Sequence, residues 1–135
     1  MILNVTILGT PVTKKNSQRI ITVAGHPRIL PSKAYTDYQA DSVSQLDQLR
    51  ASGMMVSKPV NACYVYYMPT KRRVDLTNLV EATDDVLVAA KVLADDNRDI
   101  VASHDGSMVL YDKQIPRVEI TLTEKEDYEQ WKGNE

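Results

Sequence analysis

Cysteine is almost missing from this chain: Cys63 is the single one in 135 residues. That excludes an intrachain disulfide and a cysteine-built zinc site, and it suits a reducing cytoplasm. No apolar run reaches the roughly 18 residues that a membrane span requires. The amino-terminal stretch "MILNVTILGTPVTKKNSQ" has no basic-then-apolar order of a secretory signal and reads instead as a strand and a loop. Repeats and low-complexity linkers are absent too. Residues 1–135 are therefore expected to form one domain, long enough to bury a real core.

What is present is charge, unevenly placed. Residues 1–73 carry ten Lys/Arg against three acids, and residues 74–135 carry six against fifteen. A chain divided in this way suggests a polyanionic partner for one half and something cationic, such as metal ions, for the other. The plain alternative is a surface that partly complements itself.

The pattern of elements is mixed. "ILNVTILG" is a β-branched strand, followed by the basic turn "TPVTKKNSQ". "RIITVAGHPRILP" reads as two short strands around a Gly-His-Pro turn, which makes His26 a turn residue. "SKAYTDYQADSVSQLDQLRAS" starts on a capping serine and reads as one polar helix of about five turns. "VNACYVYYMP" predicts a strand covered on both faces, with Cys63 in the core. Leu76 to about Leu93 is the clearest helix, with Leu79, Val80, Val86, Leu87 and Ala90 at helical spacing and Asp75 as its cap. "DIVASHD", "SMVLYD" and "RVEITLTE" complete the strands, and Trp131 in the charged tail reads as a packing anchor. The expected class is α+β: a mixed β-sheet with two main helices packed on it.

The acids concentrate around the second helix. At about 100° per residue, Asn78, Glu81 and Asp85 lie opposite its apolar arc. Asp75 stands at its start, and Asp95 and Asp96 follow its end. Asp84 is expected at the surface only. Hard divalent cations such as Mg²⁺ or Mn²⁺ take carboxylate oxygens, and a cation removes the repulsion between neighbouring carboxylates. The simpler reading is a solvated helix face and a polar turn. "KRR" at Lys71, Arg72 and Arg73, and "TKKNS" with Lys14, Lys15 and Asn16, are basic loops suited to backbone phosphates. His104, beside Asp105 at a strand end, is a further candidate without an assigned role.

"MPTKRRVDLTNLVEATDDVLVAAKVLADDN" resembles the RusA-type Holliday junction endodeoxyribonucleases. The family pattern has a Met-Pro and basic run, Asp-x-Asp-Asn-Leu, a helix with an Asp soon after a Lys, and then an Asp-Asp pair. Asp75, Asn78, Leu79, Asp85, Asp95 and Asp96 match it in spacing, and looser likeness extends over nearly the whole chain. The resemblance implies a homodimer, from a bacterial cytoplasm and encoded by a phage or prophage. It would bind four-way DNA junctions in recombination and repair and make paired symmetric nicks with Mg²⁺ or Mn²⁺.

By position, Asp75 and Asp96 would be metal ligands accompanied by Asp95. Thr77 stands where better-known members have a second metal-binding Asp, and Glu81 where they have a catalytic Lys. One turn of helix separates the two, so Glu81 is expected to return the lost carboxylate and join the catalytic set. Asp85 lies a turn beyond and extends the metal set. Lys14, Lys15 or Arg73 would replace the lost cation, while Lys14, Lys15, Asn16, Lys71, Arg72 and Arg73 would grip DNA. The alternatives are a homologue that binds branched DNA without cutting it, and a protein-interaction module with an acidic docking face.

Overall fold

The computed structural model describes residues 2–14, 19–30 and 32–125. Ten elements follow one another: β1 (Leu3–Leu8), β2 (Arg19–Val23), β3 (His26–Leu30), α1 (Lys33–Gln45), α2 (Asp47–Ala51), β4 (Val60–Met68), α3 (Leu76–Ala89), β5 (Val101–Ser103), β6 (Met108–Tyr111) and β7 (Arg117–Glu124). β1 and β4 flank β7 antiparallel, while β5 and β6 share the far edge of β4 and run parallel to it. The sheet is thus mixed, and α3 is the crossover that a parallel β4–β5 pair requires. β2 and β3 form a separate hairpin. No helix among the described residues is long and apolar enough to cross a membrane.

Alternation along β4 and β7 decides the layers. Val60, Ala62, Tyr64 and Tyr66 of β4 and Val118, Ile120 and Leu122 of β7 are buried, and they join Leu79, Val86 and Leu87 of α3 in one core. Period-two spacing puts those strand residues on a single face. β4 is therefore not covered equally on both faces: Asn61, Cys63, Val65 and Tyr67 are only half-buried. On that side the Arg117 guanidinium lies 3.8 Å from the Tyr67 ring centre.

Both helical expectations need correction. The first helical run divides at Leu46, whose backbone (φ −97°, ψ 5°) leaves helical geometry while its side chain is buried. Three helices result, not two. α3 stops at Ala89, well before Leu93, because Lys91 turns left-handed at φ 63°. Val92 and Leu93 stay buried, and Leu93 bridges to Val56 as extended chain. Apolar spacing continued past the helix because burial continued, although helical geometry did not. The His26 expectation shifts as well: the turn is Ala24-Gly25, and His26 opens β3.

Gly106 closes the turn between β5 and β6 at φ 88°, and an added Cβ would stand 3.1 Å from Cys63 Sγ. Gly106→Ala is expected to cost about 1–2 kcal/mol, from left-handed strain and that contact together. Urea unfolding of the two proteins measures it.

Candidate active site

Ser32 starts α1 by accepting from the Tyr35 amide, and Asp75 starts α3 by accepting from the Thr77 amide at 3.0 Å. The two helices pack together, and the Tyr35 hydroxyl reaches the Ala82 carbonyl across their contact. On the solvent side of that seam is a cavity of about 420 Å³ lined by Lys14, Tyr35, Gln39, Asp85, Val88, Ala89 and Asp96. The loop after β1 brings Lys14 to it. Its ammonium donates to Asp85 Oδ2 at 2.7 Å. The hydrogen bond with Asp85 raises the Lys14 pKa above its ordinary value, and the charges of Asp85, Glu81 and Asp96 add to this while burial opposes it.

Asp96 shows what the cavity favours. Its pKa is raised, first by burial, then by the hydrogen bond with Asp95 and by the charges of Asp85, Asp84 and Asp95. Carboxylates crowd around it, and each makes its ionisation harder. Asp95 Oδ1 also accepts from the Asp96 amide at 2.7 Å. Asp85, Asp95, Asp96, Glu81 and Lys14 thus share one electrostatic neighbourhood, although they come from the β1 loop, α3 and the loop after it.

Asp75 is placed differently. Its Oδ1 accepts from the Thr77 amide and, at 2.6 Å, from the Thr77 hydroxyl. It lies ten positions before Asp85, roughly 15 Å along the helix axis, and does not line the cavity. Among the described residues, no three His, Cys, Asp or Glu side chains stand together as one metal ion would need. The donor chemistry itself suits a hard cation, since crowded carboxylates are relieved by one.

Of the basic candidates, Arg72 and Arg73 line a second cleft, and Lys71 sits 5.1 Å from the ring centre of Tyr111. Lys15 and Asn16 lie outside the described residues, as does Trp131.

Asp84 requires a correction. Expected at the surface, it is buried, 9% exposed. Tyr64 donates to its Oδ1 at 2.6 Å, and His104 Nε2 lies 3.2 Å from its Oδ2. His104 Nδ1 is 2.8 Å from the Ala62 carbonyl, which can only accept, so Nδ1 carries a proton. Nε2 faces the Asp84 carboxyl, and a second proton there would make the ring an imidazolium. Burial pushes the His104 pKa down, but the hydrogen bond and charge of Asp84, with the Ala62 carbonyl, outweigh it and leave the pKa above 6.5. The signal was legible: Asp84 falls four residues after Val80 and three before Leu87, inside the apolar stripe.

The family model described as Endodeoxyribonuclease RusA matches residues 9–123. The chain belongs to the RusA family. The match takes in the Lys14 loop, both packed helices and the whole acidic segment, so the cavity is built from segments that the RusA model covers. RusA proteins are endodeoxyribonucleases that resolve Holliday junctions and generally depend on divalent metal. No individual curated protein matches the chain.

Proposed function

We propose that this protein resolves four-way DNA junctions as a homodimer, by metal-dependent paired nicks in opposing strands. The observation that carries the reading is the Lys14–Asp85–Asp96 cavity, with Glu81 and Asp95 close enough for their charges or hydrogen bonds to act there. Asp85, Asp95, Asp96 and Glu81 do not stand together as one cation needs without it, and would have to close in to hold Mg²⁺ or Mn²⁺; Asp75 belongs to the proposed set by family position. The bound ion would lower the pKa of a water and neutralise charge on the phosphate.

The chain's own residues divide the remaining work. Lys14 supplies a fixed positive charge where the phosphate gains negative charge, a preorganised stabilisation of the transition state. It stands in for the cation lost where Glu81 replaces Lys. A two-fold dimer would put equivalent sites on opposing strands of a junction that is itself nearly two-fold. Junction choice would follow shape and phosphates more than base edges.

One observation favours a second reading. Thr77, in place of a metal-binding Asp, donates its hydroxyl to Asp75 and helps hold that carboxylate at the helix cap. A protein that binds junctions without cutting them would carry such a change. Incubating a synthetic four-way junction with Mg²⁺ or Mn²⁺ separates the two: paired nicks support the nuclease, whereas binding without nicks supports the second reading.

The basic loop gives a further expected outcome. Charge-neutral substitution of Arg72 or Arg73 should weaken all junctions alike and flatten the salt dependence of binding by about one unit of slope for each lost phosphate contact. Affinities measured across a salt series check this, and an unchanged slope would count against a DNA role for the loop.

A further inference from the structure

The Thr13–Lys14 segment separates two cavities. Lys14 and Tyr35 face the acidic one. Thr13 and Ala34 face a second cleft of about 350 Å³, which Ser32, Thr70, Arg72 and Arg73 also line. Among the described residues, the two arginines are its charged residues and no carboxylate lines it. Neither guanidinium is held by an ion pair among the described residues.

The hydroxyls of this cleft share one feature. Thr13 is 5% exposed, and its Oγ1 is buried with no hydrogen-bond partner among the described residues. Ser32 Oγ accepts from the Tyr35 amide and Thr70 Oγ1 from the Arg72 amide, so each keeps its own proton. The described residues supply no acceptor for these protons. Ala34 lies in the first turn of α1, where amides have no acceptor within the helix and the helix dipole is positive. The lining of the cleft thus combines hydroxyls and positive charge without a carboxylate among the described residues. A buried hydroxyl without a partner is unfavourable, and a phosphate supplies several strong acceptors at once.

We propose that this cleft is a separate binding site for a single phosphate group, held by Thr13, Ser32, Thr70, Arg72, Arg73 and the amino end of α1. If the nuclease reading holds, the phosphate belongs to the DNA backbone beside the cut, because adjacent residues, Thr13 and Lys14 in the loop and Ala34 and Tyr35 in α1, line the cleft and the acidic cavity in turn. The cleft then fixes the register of the strand, and the acidic cavity does the chemistry. Without junction binding, the same chemistry would take a free phosphate.

Two probes test this. The first is inorganic phosphate, followed through the backbone amide signals of Thr13 and Ala34. Saturable shifts in the native protein that are lost in the R72Q/R73Q variant are expected. Thr13→Val, nearly the same shape without a hydroxyl, should fold normally and weaken them. The second probe is a set of four-way junctions, each with one neutral methylphosphonate near the cut. One position should weaken binding about tenfold, and that penalty should vanish in R72Q/R73Q.

Phosphate shifts without junction binding would keep the site and sink the nuclease reading. Junction cleavage with no phosphate shifts, or with a penalty unchanged in the variant, would overturn the site and leave the nuclease standing.

Discussion

Glu81→Gln is expected to reduce junction cleavage to about a hundredth or less, while junction binding stays unchanged or tightens. Changes one shell away from a metal already cost about 10–100-fold, so loss of a direct oxygen should cost at least the upper end. Removing a negative charge beside the phosphate favours binding, whereas the chemistry loses a ligand. The expectation rests on the charge of Glu81 acting on Lys14 at the cavity. Single-turnover cleavage and a binding titration on the same junction separate the two effects. If Thr77→Asp raises a weak activity and Glu81→Gln changes nothing, Glu81 does not compensate for Thr77.

Asp96→Asn should lose cleavage in the same way, with an opposite effect on stability. Its carboxyl pKa is raised in the folded protein, so ionisation above the ordinary 3.8 works against folding. The asparagine variant, without metal, should therefore melt at a higher temperature at neutral pH. A site residue that destabilises the metal-free fold is what a cation-binding cluster would produce.

His104→Ala is expected to have the largest effect on stability, about 3 kcal/mol, because it leaves the buried Asp84 side chain with Tyr64 as its remaining partner among the described residues. For a chain of this size the melting temperature should fall by roughly 10 °C. The pH dependence has a definite sign. The His104 pKa is raised by Asp84, so the pair's contribution is fully present below the unfolded value of 6.5. It fades as pH rises through the higher folded value. The native protein should lose stability over that window, and the alanine variant should not. Thermal melts from pH 5 to 9 test it, and parallel curves for both proteins would show that His104 and Asp84 do not form a charged pair.

The dependence of the site on Lys14 explains why charge asymmetry was informative. The basic first half and acidic second half do not face separate partners alone. Lys14, from the first half, pairs with Asp85 from the second at 2.7 Å. Part of the asymmetry is therefore satisfied inside the molecule, and part remains at Arg72 and Arg73. The sequence alone left both outcomes open, because Coulomb attraction acts through space and chain separation says nothing about distance.

What the sequence determined by itself was whatever depends on local periodicity and local chemistry. The strands, the caps at Ser32 and Asp75, the α+β class and the Asp-Asp pair after the helix could be read from spacing, because side-chain direction in a strand or helix follows from residue number. The RusA pattern could be read for the same reason, since it is carried by one nearly continuous segment. Tertiary structure decided the rest. It ended α3 at Ala89 through a left-handed Lys91, divided the first helix at Leu46, and took Asp84 inside to meet Tyr64 and His104. It also set Lys14 against Asp85. Each of these is a contact between residues distant in sequence, or a backbone turn adopted to keep apolar side chains buried. Their energies come from packing and desolvation, which exist only once the chain is folded.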